Sequence, residues 1–359
     1  MRIGLIYMDA LGVGGYPRDI RRLASALSCN GANVTLYTRR RNYCCAPPIG
    51  VKVDSFEALE RISEDVYHVF GVFLPAQLLA VRKILGVKPV VVSPLGHLMP
   101  HHLRRALVKK ALYLKLLRPF FRRASWFHVF SRTEAASVRQ YLGRHVRIFE
   151  ANLGIFPVSA HVGGLWEEGR GSVSEETRFL FFGRNDVHQK GIDVLLQGFE
   201  LAVRSWARAK LVIAGRPWGK SGQFIGRFIE QKGLSGVVDV LGPVDERAKW
   251  RLIAEADYLV FPSRWDGPPR PIREAIAAGT PVVVSPETNM GELVAAFNAG
   301  EVVGLDPTQV ADRVVKLSAN KNQRFEHRNG VERLRARLAW SRVAEDYIRG
   351  YEEALKSWK

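Results

Sequence analysis

The stretch Tyr258-Leu259-Val260-Phe261-Pro262-Ser263-Arg264-Trp265-Asp266-Gly267-Pro268-Pro269-Arg270-Pro271-Ile272-Arg273-Glu274, continuing Ala275-Ile276-Ala277-Ala278-Gly279-Thr280-Pro281-Val282-Val283-Val284, decides how the chain is read. Tyr258 to Phe261 is a short apolar run of the kind that forms a buried parallel strand, and Val282 to Val284 is another. Between them lies a Pro-rich loop and an Ala-rich segment long enough for a short helix. Pro271 fits the first helical turn, where its missing N–H costs nothing, and Gly279 fits the helix end. The order strand, loop, helix, strand places the chain in the α/β class, with Asp266 and Glu274 on either side of the loop.

In open α/β sheets ligands sit at the carboxyl ends of the strands, where loop amides and helix N-termini meet anions. A carboxylate there would repel a bare phosphate. It suits a phosphate flanked by sugars, whose hydroxyls it can accept from. A second loop points the same way. The strand-like Arg178-Phe179-Leu180-Phe181-Phe182 runs into Gly183-Arg184-Asn185-Asp186-Val187-His188-Gln189-Lys190-Gly191. Arg184 and Lys190, six positions apart on a strand-to-helix loop, can grip a diphosphate from two sides.

Taken together, these stretches resemble the signature of family-4 retaining glycosyltransferases of the GT-B fold. That family has two acids eight positions apart before an Ala-rich helix and Gly-x-Pro-Val-Val. The resemblance implies an α/β fold of two Rossmann-like domains with parallel sheets facing a central cleft, and a C-terminal helix crossing back to the first domain. It implies that Arg184 and Lys190 neutralise the leaving nucleoside diphosphate and that Glu274 accepts from ribose hydroxyls. Asp266 and His97 would position the sugar. Gly14 and Gly15 would lie between acceptor and donor, and Gly183, Gly267 and Arg270 would line the donor site. Pro268 and Pro269 stand where relatives offer amides, which leaves Gly267 and Arg270 as donors in that loop. Without an Asp-x-Asp motif, neither metal nor cofactor is expected, the nucleotide-sugar being a co-substrate.

The first half reads as a matching unit. Residues 3–7, Asn33–Thr38, Asp65–Gly71, Pro89–Ser93, Trp126–Phe130 and Arg147–Glu150 look like strands, and Ile20–Ser28 like a helix. His68 ends one of these strands and His97 follows another. Ser131 and Glu134 form a capping box. Lys210–Gly215 and Val238–Val244 are further strands of the second half. Residues 161–177 lack an apolar period and are rich in Gly, Ser and Glu. The expected domains are therefore 1–160 for the acceptor, 161–177 as linker, 178–338 for the nucleotide-sugar, and 339–359 as the returning helix.

With 359 residues, 47% hydrophobic, the chain can bury two cores. No apolar run approaches the ~20 residues that span a bilayer, and no signal peptide is expected. Cys29, Cys44 and Cys45 form neither an even disulfide set nor a metal spacing, so a reducing cytoplasm is the expected compartment. The net charge is +18. Residues 1–160 hold 24 Lys and Arg against 9 Asp and Glu, so nearly all the surplus lies in the first half.

Residues 101–124 concentrate that surplus. They carry Arg104, Arg105, Lys109, Lys110, Lys115, Arg118, Arg122 and Arg123 among leucines and no acid. Such a pattern suits an anionic membrane surface, each cation adding about 1 kcal/mol near the lipid. The expected partners are a nucleotide-sugar, a glycan or lipid-linked acceptor and the cytoplasmic face of a membrane. Nucleic acid is not expected, since aliphatic residues rather than aromatic platforms separate the cations. The competing readings are a sugar-nucleotide epimerase or phosphorylase of similar plan, a catalytically degenerate partner subunit, and a nucleic-acid-binding protein using the basic half.

Overall fold

The computed structural model describes residues 1–39, 45–104, 107–124, 126–155, 176–205 and 207–358. The chain divides into two units, Met1–Gly154 with Leu338–Lys359, and Ile155–Arg337. Arg40, Arg41, Arg105 and nearly all of the 161–177 linker lie outside the described residues.

The first unit is built on β1 (Arg2–Ile6), β2 (Asn33–Thr38), β3 (Lys52–Ser55), β4 (Val66–Phe70), β5 (Val90–Ser93), β6 (Trp126–Val129) and β7 (Ile148–Glu150). All pair in parallel, in the order β3-β2-β1-β4-β5-β6-β7. Strands β4 and β5 are buried along their whole length because helices cover both faces, so they read as continuous apolar runs rather than alternating ones. The edge strand β3 is half-exposed and lacks that signal, which is why the sequence reading missed it.

The helix after β1 spans Gly15–Cys29, five residues longer at its start than the apolar period suggests. Gly14 caps it at φ +148°, and Pro17 occupies its first turn. In the 101–124 segment the described residues are helical at Pro100–Arg104 and Leu107–Arg123.

The terminal helix, Trp340–Lys356, belongs to the first unit. Its buried stripe of Val343, Ala344, Tyr347, Tyr351 and Ala354 follows the helical period. A buried chain of polar groups ties it to the sheet. His68 Nδ1 meets Tyr351 Oη at 2.7 Å, His68 Nε2 meets Ser93 Oγ at 2.6 Å, and Ser93 Oγ meets His128 Nδ1 at 2.5 Å. His128 Nε2 ends the chain on Ala151 O at 2.8 Å.

One proton arrangement satisfies every link. A carbonyl only accepts, so His128 Nε2 carries a hydrogen and Nδ1 accepts from the Ser93 hydroxyl. Ser93 then accepts from His68 Nε2–H, and Tyr351 donates to His68 Nδ1. Both rings are neutral, in keeping with burial, which drives the His68 pKa well below its ordinary value and His128 to about 3. His68 is thus a core residue that anchors the terminal helix.

The second unit contains β8 (Thr177–Phe182), β9 (Ala209–Ala214), β10 (Val238–Gly242), β11 (Tyr258–Phe261), β12 (Val282–Val284) and β13 (Gly300–Val302). Their order is β10-β9-β8-β11-β12-β13, again all parallel. The strand order reverses between β8 and β11, and a crevice at the carboxyl ends of such a pair is where doubly wound sheets bind ligands. The helix Arg270–Ala278 carries Pro271 in its first turn, and Gly279 ends it at φ +78°, as the sequence requires.

Candidate functional site

Three loops leave the carboxyl ends of the adjacent strands β9, β8 and β11. The β8 loop, Gly183 to Gly191, brings Arg184 and Lys190 forward. Its close packing against β11 depends on Gly191, which sits at φ +65°, where a Cβ would lie 1.9 Å from Pro262 O. The β11 loop supplies Asp266.

Lys190 is buried, and its Nζ lies 2.5 Å from Asp266 Oδ2 and 5.1 Å from the centre of the Phe261 ring. Ser263 Oγ donates to the same carboxylate oxygen at 2.9 Å. The structure therefore joins the switch-point strands through an ion pair between the two residues that the sequence nominated for phosphate and sugar.

Arg184 stands more open, its side chain 42% exposed. Its guanidinium carbon lies 4.4 Å from the centre of the Trp218 ring on the β9 loop, and its NH2 donates to Gln189 Oε1 at 2.6 Å. Gln189 donates in turn to Trp265 O at 3.3 Å. Arg184, Lys190 and Asp266 thus share one cluster, cross-linked by Gln189. Sequence reasoning missed Gln189 and Trp218. Gln189 lies inside the motif but carries no charge, and a single exposed Trp in a turn gives no periodic signal.

Glu274, expected to accept from ribose hydroxyls, has a side chain only 2% exposed, and its Oε1 meets Lys249 Nζ at 2.8 Å and Arg270 Nε at 3.0 Å. Both contacts fall on Oε1. Lys249 also reaches Glu246 at 2.7 Å, so a buried lysine bridges the two helices Glu246–Glu255 and Arg270–Ala278. Sequence reasoning missed Lys249, whose one signal is that it is the lone cation on the buried helix face with Trp250 and Ile253. Arg270, nominated as a phosphate contact, directs its Nε at Glu274 one turn on, because i,i+4 neighbours face each other on a helix. The helix still adjoins the β8 loop, since a Cβ on Gly183 would lie 3.7 Å from Pro271 Cγ. Gly267 is buried in the intervening turn.

In the first unit, Gly14 and Gly15 are exposed at the start of the helix after β1, and space around Gly15 is open. His97 follows β5. Its ring stacks on His102 at 5.0 Å, and its Nδ1 is buried without a partner among the described residues. Burial, then His102 and Lys110, push its pKa to about 3, so it is a neutral imidazole at pH 7.

The loop bearing His97 is held by Glu134, whose Oε1 accepts from Gly96 N–H at 2.6 Å and Oε2 from Phe130 N–H at 2.9 Å. Ser131 Oγ accepts from Glu134 N–H at 3.0 Å, as a capping box requires, and the carboxylate also reaches the His97 loop. Burial raises the Glu134 pKa to about 7, although both amide bonds pull it down.

Residues 176–320 match the family model described as glycosyl transferases group 1. The chain is 26% identical over 301 residues, 82% of its length and 75% of the relative's, to GDP-mannose:cellobiosyl-diphosphopolyprenol alpha-mannosyltransferase of Xanthomonas campestris. It is 32% identical over 181 residues, 50% of its length and 47% of the relative's, to phosphatidyl-myo-inositol mannosyltransferase of Mycobacterium leprae. Among solved structures, sucrose-phosphate synthase of Thermosynechococcus elongatus matches with a TM-score of 0.73 at 17% identity, covering 99% of both chains. Over residues 176–320 the chain is thus similar to the group 1 glycosyltransferases, and its two parallel Rossmann-like sheets have the GT-B fold.

Proposed function

We propose that this glycosyltransferase moves a sugar from a nucleotide-sugar to a lipid-linked, anionic glycan acceptor, with retention of anomeric configuration and without a metal. The reading rests on one observation: Lys190 and Asp266 meet at 2.5 Å at the switch point of the second sheet, beside Arg184. An ammonium and a guanidinium on one loop stabilise the charge that develops on a departing diphosphate, which is the largest electrostatic demand of glycosyl transfer. Asp266, held by Lys190 and Ser263, accepts from hydroxyls of the transferred sugar. Glu274, with Oε1 fixed by Lys249 and Arg270, offers Oε2 to the ribose. The neutral His97, on a loop fixed by Glu134, serves the acceptor side.

The relatives support the acceptor class. The name of one gives a diphosphopolyprenol and that of the other a phosphatidylinositol, and both are phosphate-bearing lipids. The chain's own surface supports it too. No helix is long and apolar enough to cross a membrane among the described residues. The helix Leu107–Arg123 instead exposes Leu112 (57%) and Leu116 (71%) beside exposed Lys109 and Lys115. Such a face fits the cytoplasmic surface of an anionic bilayer, with the protein peripheral to it.

The test is transfer from a panel of nucleotide-sugars to polyprenyl-diphosphate-linked saccharides in vesicles, with the product anomer read by NMR. Retained configuration in a lipid extract, undiminished by a chelator, is the expected result. An inverted product, or transfer that stops with the chelator, contradicts the corresponding part of the reading.

A further inference from the structure

A second binding feature lies at the other edge of the first sheet. A cavity of about 270 Å³ opens where β6 and β7 begin, and Phe121, Arg122, Arg123, Phe127, Arg147 and Trp358 are among the residues that line it. His97 and the Gly14 loop lie beyond the carboxyl ends of β5 and β1, so the cavity sits at the opposite edge of the sheet from them.

Its walls include no acidic residue. Arg123 NH2 donates to Leu85 O at 3.2 Å and Arg147 NH1 to Ser357 O at 3.1 Å, contacts that fix the two guanidiniums without neutralising them. Three like charges around one hollow repel each other, and an anion inside relieves that repulsion. The hollow is also apolar in part. Of its lining, Phe121 and Phe127 are 1% exposed and Trp358 is 37% exposed.

We propose that this cavity binds a phosphate ester carrying an apolar substituent. Guanidinium forks match the oxygens of a phosphate, and three of them exceed what a single carboxylate needs. The volume lies just below the ~300 Å³ at which drug-sized ligands begin to be enclosed, so it holds a headgroup rather than a long chain. An attached chain has a path, because exposed Leu112, Leu116 and Pro119 continue along the helix that brings Arg122 and Arg123. A lipid headgroup and a soluble phosphate ester share this chemistry. The site is independent of the donor reading, which concerns the second unit.

The experiment titrates the full chain calorimetrically with monomeric short-chain phosphatidic acid and with inorganic phosphate. It also sediments the chain with phosphatidylcholine vesicles that hold or lack phosphatidic acid. The variants are Arg122→Gln with Arg147→Gln, and Trp358→Ala. Saturable binding of the ester is expected, about tenfold or more tighter than that of phosphate, since its apolar part adds to the charge term. The double variant should weaken ester binding by at least about tenfold while its melting temperature and its nucleoside diphosphate binding hold. Trp358→Ala should weaken the ester but not phosphate.

Loss of vesicle binding in the double variant assigns the site to a lipid headgroup, and loss on the soluble ester alone assigns it to a soluble phosphate ester. No saturable ester binding by the unaltered chain overturns the proposal. So does unchanged ester binding in the double variant and in Trp358→Ala.

Discussion

Lys190 lies beneath Phe261 with its ammonium on Asp266, whereas Arg184 is held at the surface between Trp218 and Gln189, and substitution should separate the two. Removing one partner of a buried ion pair strands the other and costs about 3–5 kcal/mol. Lys190→Ala should therefore lower thermal stability and abolish nucleoside diphosphate binding together. Arg184→Ala should abolish the binding with a stability loss of no more than about 1 kcal/mol, the worth of its stack on Trp218. Melts with and without nucleoside diphosphate distinguish the two cases, and equal stability losses would count against the buried pair. Trp218→Ala frees the Arg184 fork from a stack worth about 1 kcal/mol, so diphosphate affinity should fall by roughly fivefold. Unchanged affinity in a calorimetric titration would show that the stack does not position the fork.

At the scale of elements, the terminal helix is held by a hydrogen-bond chain with a fixed direction, and that direction makes a prediction. Tyr351→Phe keeps the ring but removes the donor that His68 Nδ1 needs, leaving a buried acceptor unsatisfied at a cost of about 1–3 kcal/mol. A urea melt that places the variant within error of the unaltered chain would contradict the arrangement. The sequence made most of these elements legible. Buried strands such as Tyr258–Phe261 announce themselves as apolar runs between turn residues, and the Pro271 and Gly279 pair frames its helix. It did not reveal that His68, in the middle of β4, faces the core, because one histidine looks the same in a site and in a core. Nor did it reveal the Lys249–Glu274–Arg270 cluster, which depends on how the helices on either side of β11 pack.

For the molecule as a whole, pH dependence follows from its buried groups. His68, His97 and His128 have folded pKa values below the unfolded value of about 6.5. The unfolded chain takes up protons that the native state refuses. Their stabilisation is thus complete above about pH 6.5 and is lost as the pH falls toward the folded values, at roughly 1.4 kcal/mol per group per pH unit. Glu134, raised to about 7, acts in the opposite sense between the unfolded carboxylate value and pH 7, offsetting about one of the three histidines. Urea melts at pH 7.5 and pH 5 should show a net loss on acidification, and a flat profile would contradict it. The charge asymmetry belongs to this scale as well. With nearly all of the +18 in the first half, vesicle binding should weaken as salt rises. The family resemblance was readable in the second unit because Arg184, Lys190, Asp266 and Glu274 keep their spacing there, while the acceptor side offered only glycines and a displaced histidine. The account stands most directly on whether Arg184 and Lys190 hold the donor's diphosphate. Calorimetric titration of nucleoside diphosphates into the full chain and into Arg184→Ala tests this, and the account predicts saturable one-to-one binding that the substitution abolishes while the melting temperature holds. Equal binding by both proteins would contradict it.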